Sequence, residues 1–116
     1  MRGLLFGFMA MVFMSSYSSA LTLRLYQENE NKGEPIRTLN KVYLTGAIEA
    51  IVATNNTLKA FDRPLIYCQP KMVDLELAQL QDIVKKMPNK LHLSDDTPVA
   101  DILLLGLQDA FPCEAR

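Results

Sequence analysis

Two cysteines, Cys68 and Cys113, and a single histidine, His92, are the residue types in this 116-residue chain best suited to nucleophilic or soft-metal chemistry. A thiol nucleophile needs a deprotonated sulfur beside a base. A zinc site needs three or four ligands at short spacings, which one histidine and two distant cysteines do not supply. His92 falls in a loop between two helical patterns, at the end opposite both cysteines, so a Cys–His dyad is not expected. Neither a glycine-rich phosphate loop nor a Gly-x-Ser-x-Gly elbow occurs. The carboxylates are scattered, and the adjacent Asp95 and Asp96 read as capping or solvated residues beside a helix start. These features weigh against an enzyme, and no catalytic, metal or cofactor site is expected. The chemistry left to the cysteines is a disulfide.

The elements around the cysteines favour that bond. Val73, Leu77, Leu80, Val84 and Met87 recur at steps of four and three residues, one face of a helix, with Asp74 placed to cap it, Lys85 and Lys86 near its C-terminus and Pro88 to stop it. A second helix starts with Thr97 as N-cap and Pro98 at its first position, and carries Val99, Ile102, Leu103, Gly106, Leu107, Ala110 and Phe111 on a broad apolar face. Two arms of about 14 residues each span roughly 21 Å. An antiparallel hairpin of equal arms returns its exit to its entrance, so Cys68, before the first arm, meets Cys113, after the second. Bridging them closes a loop of about 45 residues, worth roughly 4 kcal/mol in loop-closure entropy.

Upstream, a helix is expected from about Leu39 to Asn55, with Leu39, Val42, Tyr43, Ala47, Ala50, Ile51 and Thr54 on one face and Asn55-Asn56 ending it. Gly46, Ala47 and Ala50 make part of its surface small, suiting close approach of a neighbouring helix or a second subunit. A single turn is plausible around Leu58 to Phe61, before Arg63-Pro64 disfavours helix. Leu21, Leu23 and Leu25 alternate as in a strand, but no second strand is evident, so the segment reads as a short helix or an extended arm. The polar stretch from Gln27 to Pro35 reads as a loop.

The N-terminus carries an export signal. Arg2 precedes an apolar run from Leu4 to Phe13, and Ser18 and Ala20 are the small residues a signal peptidase reads, so cleavage is expected after Ala20. A bilayer span takes about 20 apolar residues, and Ser15 interrupts this run too early. Removing residues 1–20 leaves a single domain, residues 21–116, of about 96 residues, without a membrane anchor. That domain holds 11 basic and 13 acidic residues with no basic stripe, which argues against nucleic acid. The lack of Trp argues against a sugar-stacking platform. The expected architecture is all-α: a small compact domain of four to five helices, with one disulfide closing a C-terminal helical hairpin. An exported disulfide protein of this kind belongs in an oxidising compartment, here the periplasm or beyond.

One surface segment stands out. Asn89, Lys90, Leu91, His92, Leu93, Ser94, Asp95 and Asp96 lie between Pro88 and Pro98, rich in hydrogen-bonding groups and with Leu91 or Leu93 exposed. A loop held at the tip of a stapled hairpin is a pre-organised contact surface, which lowers the entropy cost of binding. The bland alternative is a connector.

Tyr67-Cys68-Gln69-Pro70, the following helix, Pro88, and the ending Ala110-Phe111-Pro112-Cys113 together resemble the Rap/Tai family of type VI secretion immunity proteins. That family has a Cys-x-Pro entry, a helix, a proline and an Ala-x-x-Phe-Pro-Cys ending; the Gly46-Ala47 helix fits it as well, whereas Leu21 to Pro35 matches it poorly. The resemblance implies a disulfide-bonded periplasmic helical protein, often a homodimer, that neutralises a peptidoglycan amidase effector by plugging its active-site cleft with a protruding loop. Placing the plug at Asn89 to Asp96 joins that implication to the segment above. The competing class is a periplasmic acid-stress chaperone, also helical and held by one disulfide, although 13 acids and one histidine give only ordinary pH sensitivity.

Overall fold

A computed structural model describes residues 20–114; residues 1–19, which hold nearly all of the expected export signal, and residues 115–116 lie outside them. Four helices follow in order: α1 (Leu23–Lys32), α2 (Ile36–Ala60), α3 (Leu77–Lys90) and α4 (Val99–Ala110). The fold is all-α, with the Cys68–Cys113 disulfide near the C-terminal end. None of these helices is long and apolar enough to cross a membrane.

The core draws on all four helices. Leu23 and Tyr26 of α1, Leu44 of α2, Leu80, Val84 and Met87 of α3, and Val99, Ile102 and Leu103 of α4 form one buried cluster. Each buried apolar side chain of this size contributes about 1.5–3 kcal/mol relative to exposure. The α3 and α4 residues are those whose three- and four-residue spacing marks the two arms in the sequence. The arms come close at Gly106, where an added Cβ would collide with the Cγ2 methyl of Ile83. Gly46, the glycine expected to admit a neighbouring helix, has nothing within 4 Å of where a Cβ would sit and lies exposed with Ala50, while Ala47 packs partly against the core. The apolar face of α2 turned inward is the one carrying Leu44, Ile48 and Ile51.

Several boundaries differ from the sequence expectation. Residues Gln27 to Lys32 are helical rather than a loop. Their stretch buries almost nothing, so periodicity misses it; Asn40, itself buried on α2, supplies the missing attachment. Its Nδ2 donates to the Tyr26 carbonyl at 2.9 Å and to Glu30 Oε1 at 3.2 Å, and its Oδ1 accepts from Asn29 Nδ2 at 3.1 Å. Gly33, at φ +72°, then ends α1 in a conformation that favours glycine.

α2 also runs straight through Asn55-Asn56 to Ala60, absorbing the separate turn expected at Leu58 to Phe61. The helix cost of asparagine is below 1 kcal/mol, and the Asn55 side chain is engaged at both its oxygen and its nitrogen. Its Oδ1 accepts from Ile66 N and its Nδ2 donates to the Tyr67 carbonyl, both at 2.8 Å. The real stop is the Schellman turn at Asp62 (φ +52°), where Arg63 N donates to the Leu58 carbonyl at 2.8 Å.

α3 begins at Leu77 rather than near Asp74, because the Gln79 side chain caps the backbone N–H of Glu76 at 2.9 Å. Residues 70–73 instead form a turn, with Val73 N bonded to the Pro70 carbonyl and Gln69 reaching the Val73 carbonyl. Pro88 does not stop α3 but sits in its last turn. Proline lacks an N–H and its ring crowds the carbonyl four residues back, but only the last two helical residues follow it, and Leu91 N still donates to the Met87 carbonyl. In α4, Pro98 is the N-cap and Val99 the first helical residue, one position later than expected.

Candidate functional site

The α3–α4 connection lies at the opposite end of the hairpin from the disulfide, and each of its flanks is fastened. On the α3 side a second Schellman turn is built: His92 adopts φ +53° and Leu93 N donates to the Pro88 carbonyl at 2.9 Å. The turn points the Leu93 side chain at the core cluster, so of the two candidate leucines Leu91 is the exposed one. Left-handed backbone is uncommon for residues other than glycine, though histidine enters it more readily than most.

The other flank is tied by the N-terminal arm. Thr22 and Pro98 form an antiparallel β-bridge. Around it, Leu23 N donates to Thr97 O and Arg24 N to Asp95 O, each at 2.9 Å, while Val99 N donates to Leu21 O at 2.8 Å. Arg24 also reaches Asp96 at 3.3 Å, an exposed pair whose contribution is small. Only Thr22 is bridged: the alternation of Leu21 to Leu25 is not a strand but a short extended arm, Leu21 and Thr22, that runs into helix α1 at Leu23. Thr22 then accepts from Leu25 N and starts α1.

Of the eight residues singled out in the sequence, the turn gathers Leu91, His92, Ser94, Asp95 and Asp96 as an exposed apex. Asn89 and Lys90 belong to the last turn of α3, and Lys90 is paired with Asp109 of α4 at 2.7 Å. Leu93 is a packing residue. Arg24 and the backbone of Leu21 to Leu23, which fix the apex, carry no signal in the sequence that would mark them as part of it.

The other end of the hairpin is covalent. Cys68 and Cys113 are bonded, with their Cα atoms 4.9 Å apart, and neither is a free thiol. Cys68 N donates to the Phe111 carbonyl at 2.8 Å and Gln108 Nε2 to the Ile66 carbonyl at 3.2 Å, laying the cysteine-bearing segment along the end of α4. Both sulfurs are spent in this bond, so neither is available as a thiol to pair with His92. No group of three histidine, cysteine or acidic side chains able to hold a metal ion occurs among the described residues. The disulfide indicates an oxidising, extracellular-type compartment.

This geometry defines a small all-helical protein with a fastened apex and a stapled base. Compared with protein-family models, curated proteins and solved structures, the chain has no match.

Proposed function

We propose that this is an exported inhibitory binding protein: a periplasmic immunity protein that blocks the active-site cleft of a cognate secreted peptidoglycan amidase with its α3–α4 apex. The observation that carries the reading is an exposed Leu91, His92 and Asp95 on a turn whose two flanks are hydrogen-bonded to the rest of the fold. A binder of this kind needs rigidity and complementarity, not chemistry of its own. Leu91, 42 % exposed, supplies the apolar centre of the contact, and His92, Asp95 and Asp96 its polar rim. The leader of residues 1–20 delivers the chain to the compartment in which its disulfide forms. In the same reading two chains pair through the outer face of α2, where Leu39, Val42, Gly46 and Ala50 are all exposed.

The test is calorimetric titration of the chain against a panel of secreted peptidoglycan amidases. Replacing Leu91, His92 and Asp95 together by alanine is expected to weaken binding by at least about thirtyfold, the equivalent of one strong hot spot, with the thermal midpoint little changed. Unchanged affinity removes the apex from the interface, and no binding by the unaltered chain removes the function.

A further inference from the structure

Between α1 and α3, over the start of α2, lies a groove of about 810 Å³. Its floor is apolar, formed by Leu23, Tyr26, Val84 and Pro88. Its walls carry four primary amides, Gln27 and Asn31 from α1 and Gln81 and Asn89 from α3. A carboxamide both donates and accepts hydrogen bonds, and so do the alternating N–H and C=O groups of an extended chain. From Gln81 to Asn89 the groove follows roughly 12 Å of helix axis, room for about four extended residues at about 3.3 Å each.

The charges are unequal. Arg37, Lys41 and Lys85 line the groove against a single carboxylate, Glu30. Glu30 is already occupied, paired with Arg37 Nε at 3.2 Å and bonded by Asn40 Nδ2 at 3.2 Å. Lys85 has no ion-pair partner among the described residues. Lys41 makes only a 3.5 Å contact to Glu34, with both side chains about half exposed, and a solvent-accessible pair of that kind contributes little. An unpaired cation, Lys85, therefore faces the groove from the α3 side, and a weakly paired one, Lys41, from the α2 side.

We propose that this groove is a docking site for an extended acidic segment of a partner protein, with its backbone held by the carboxamides and its carboxylates by Lys41 and Lys85. The inference goes beyond the inhibitory reading, because it stands on a different surface and holds whether or not the apex enters an enzyme.

The experiment selects binders to the intact chain from a phage-displayed random dodecapeptide library. Peptides rich in Asp and Glu are expected, and the Lys41→Glu/Lys85→Glu variant should bind them at least about tenfold more weakly. Both lysines lie on the helix surface, and a thermal melt checks that the variant is folded; Lys85→Gln provides a milder second reading in the same direction. In ¹⁵N-labelled protein, the selected peptides should shift the side-chain amide resonances of Gln27, Asn31, Gln81 and Asn89. The apex variant at Leu91, His92 and Asp95 should bind them unchanged. Selection of no peptide, of peptides without an acidic excess, shifts confined to other residues, or loss of binding in the apex variant would each overturn the proposal.

Discussion

The two ends of the α3–α4 hairpin solve one problem, keeping two helix ends together, by different means. At the base a covalent bond joins Cys68 to Cys113, and the surrounding segment, residues 61–76, is irregular. At the apex no bond crosses; a Schellman turn on one flank and a borrowed stretch of the N-terminal arm on the other hold the backbone. The contrast follows from what each end has available. The irregular segment buries few side chains beyond Tyr67 and needs a staple, whereas the apex sits over Leu23, Met87, Leu93 and Val99 and can rely on packing. A covalent restraint acts chiefly on the unfolded chain, and packing with hydrogen bonds acts on the folded one. The end fixed by packing also keeps its side chains free to face outward.

Breaking the base should have the largest effect. Cys68→Ala with Cys113→Ala removes a 45-residue closed loop and is expected to cost about 4 kcal/mol, read as a lower urea midpoint. Exchange of backbone amides at residues 65–69 should accelerate more than exchange at residues 93–97. Equal acceleration at both ends would show that the base and apex are not independently held.

The apex is broken from the arm. Leu23→Ala empties a site 2 % exposed beside the β-bridge and is expected to cost about 2–5 kcal/mol. Here the order should reverse, with amides at residues 93–97 losing protection first, while the disulfide base keeps its own.

Tyr26 on the same arm gives the apex end a pH dependence. Burial, reinforced by the neighbouring Glu30, pushes its phenol up from 10.0 to about 12. A group whose folded pKa is raised lends stability while it is protonated in both states. That contribution is complete below pH 10.0 and is lost as the pH climbs toward about 12. Denaturation midpoints should fall across that window, and Tyr26→Phe should flatten the fall; an unchanged slope would place the dependence elsewhere.

The smallest effect sharpens the comparison. His92→Gly removes a side chain from left-handed backbone and is expected to stabilise the fold by about 1 kcal/mol or less, measured by thermal melting. A loss of stability instead would mean the imidazole makes contacts that hold the turn.

The legible parts of this protein were those in which neighbours along the chain share a face. The spacing of Leu80, Val84 and Met87, and of Val99, Ile102 and Leu103, shows both arms, and two matched arms bring Cys68 to Cys113. Three asparagines and two glycines show where that reading stops. Asn40 fastens a polar helix that has little apolar face of its own, and Asn55 trades a small helix penalty for two hydrogen bonds to a distant segment. Gly106 rather than Gly46 marks the close approach, because only the packed structure says which face of a helix meets another. Asn89, expected on the apex, lines the groove instead.

The sequence by itself determined the helical class, the two arms and the sulfur pairing, since periodicity and capping act over a few residues. Tertiary structure alone decided that Leu21 to Arg24 would clasp the apex, that α1 would extend to Lys32, and that a basic, amide-walled groove would open beside them. Those outcomes depend on hydrogen bonds and gaps between segments distant in sequence, and no local pattern encodes them.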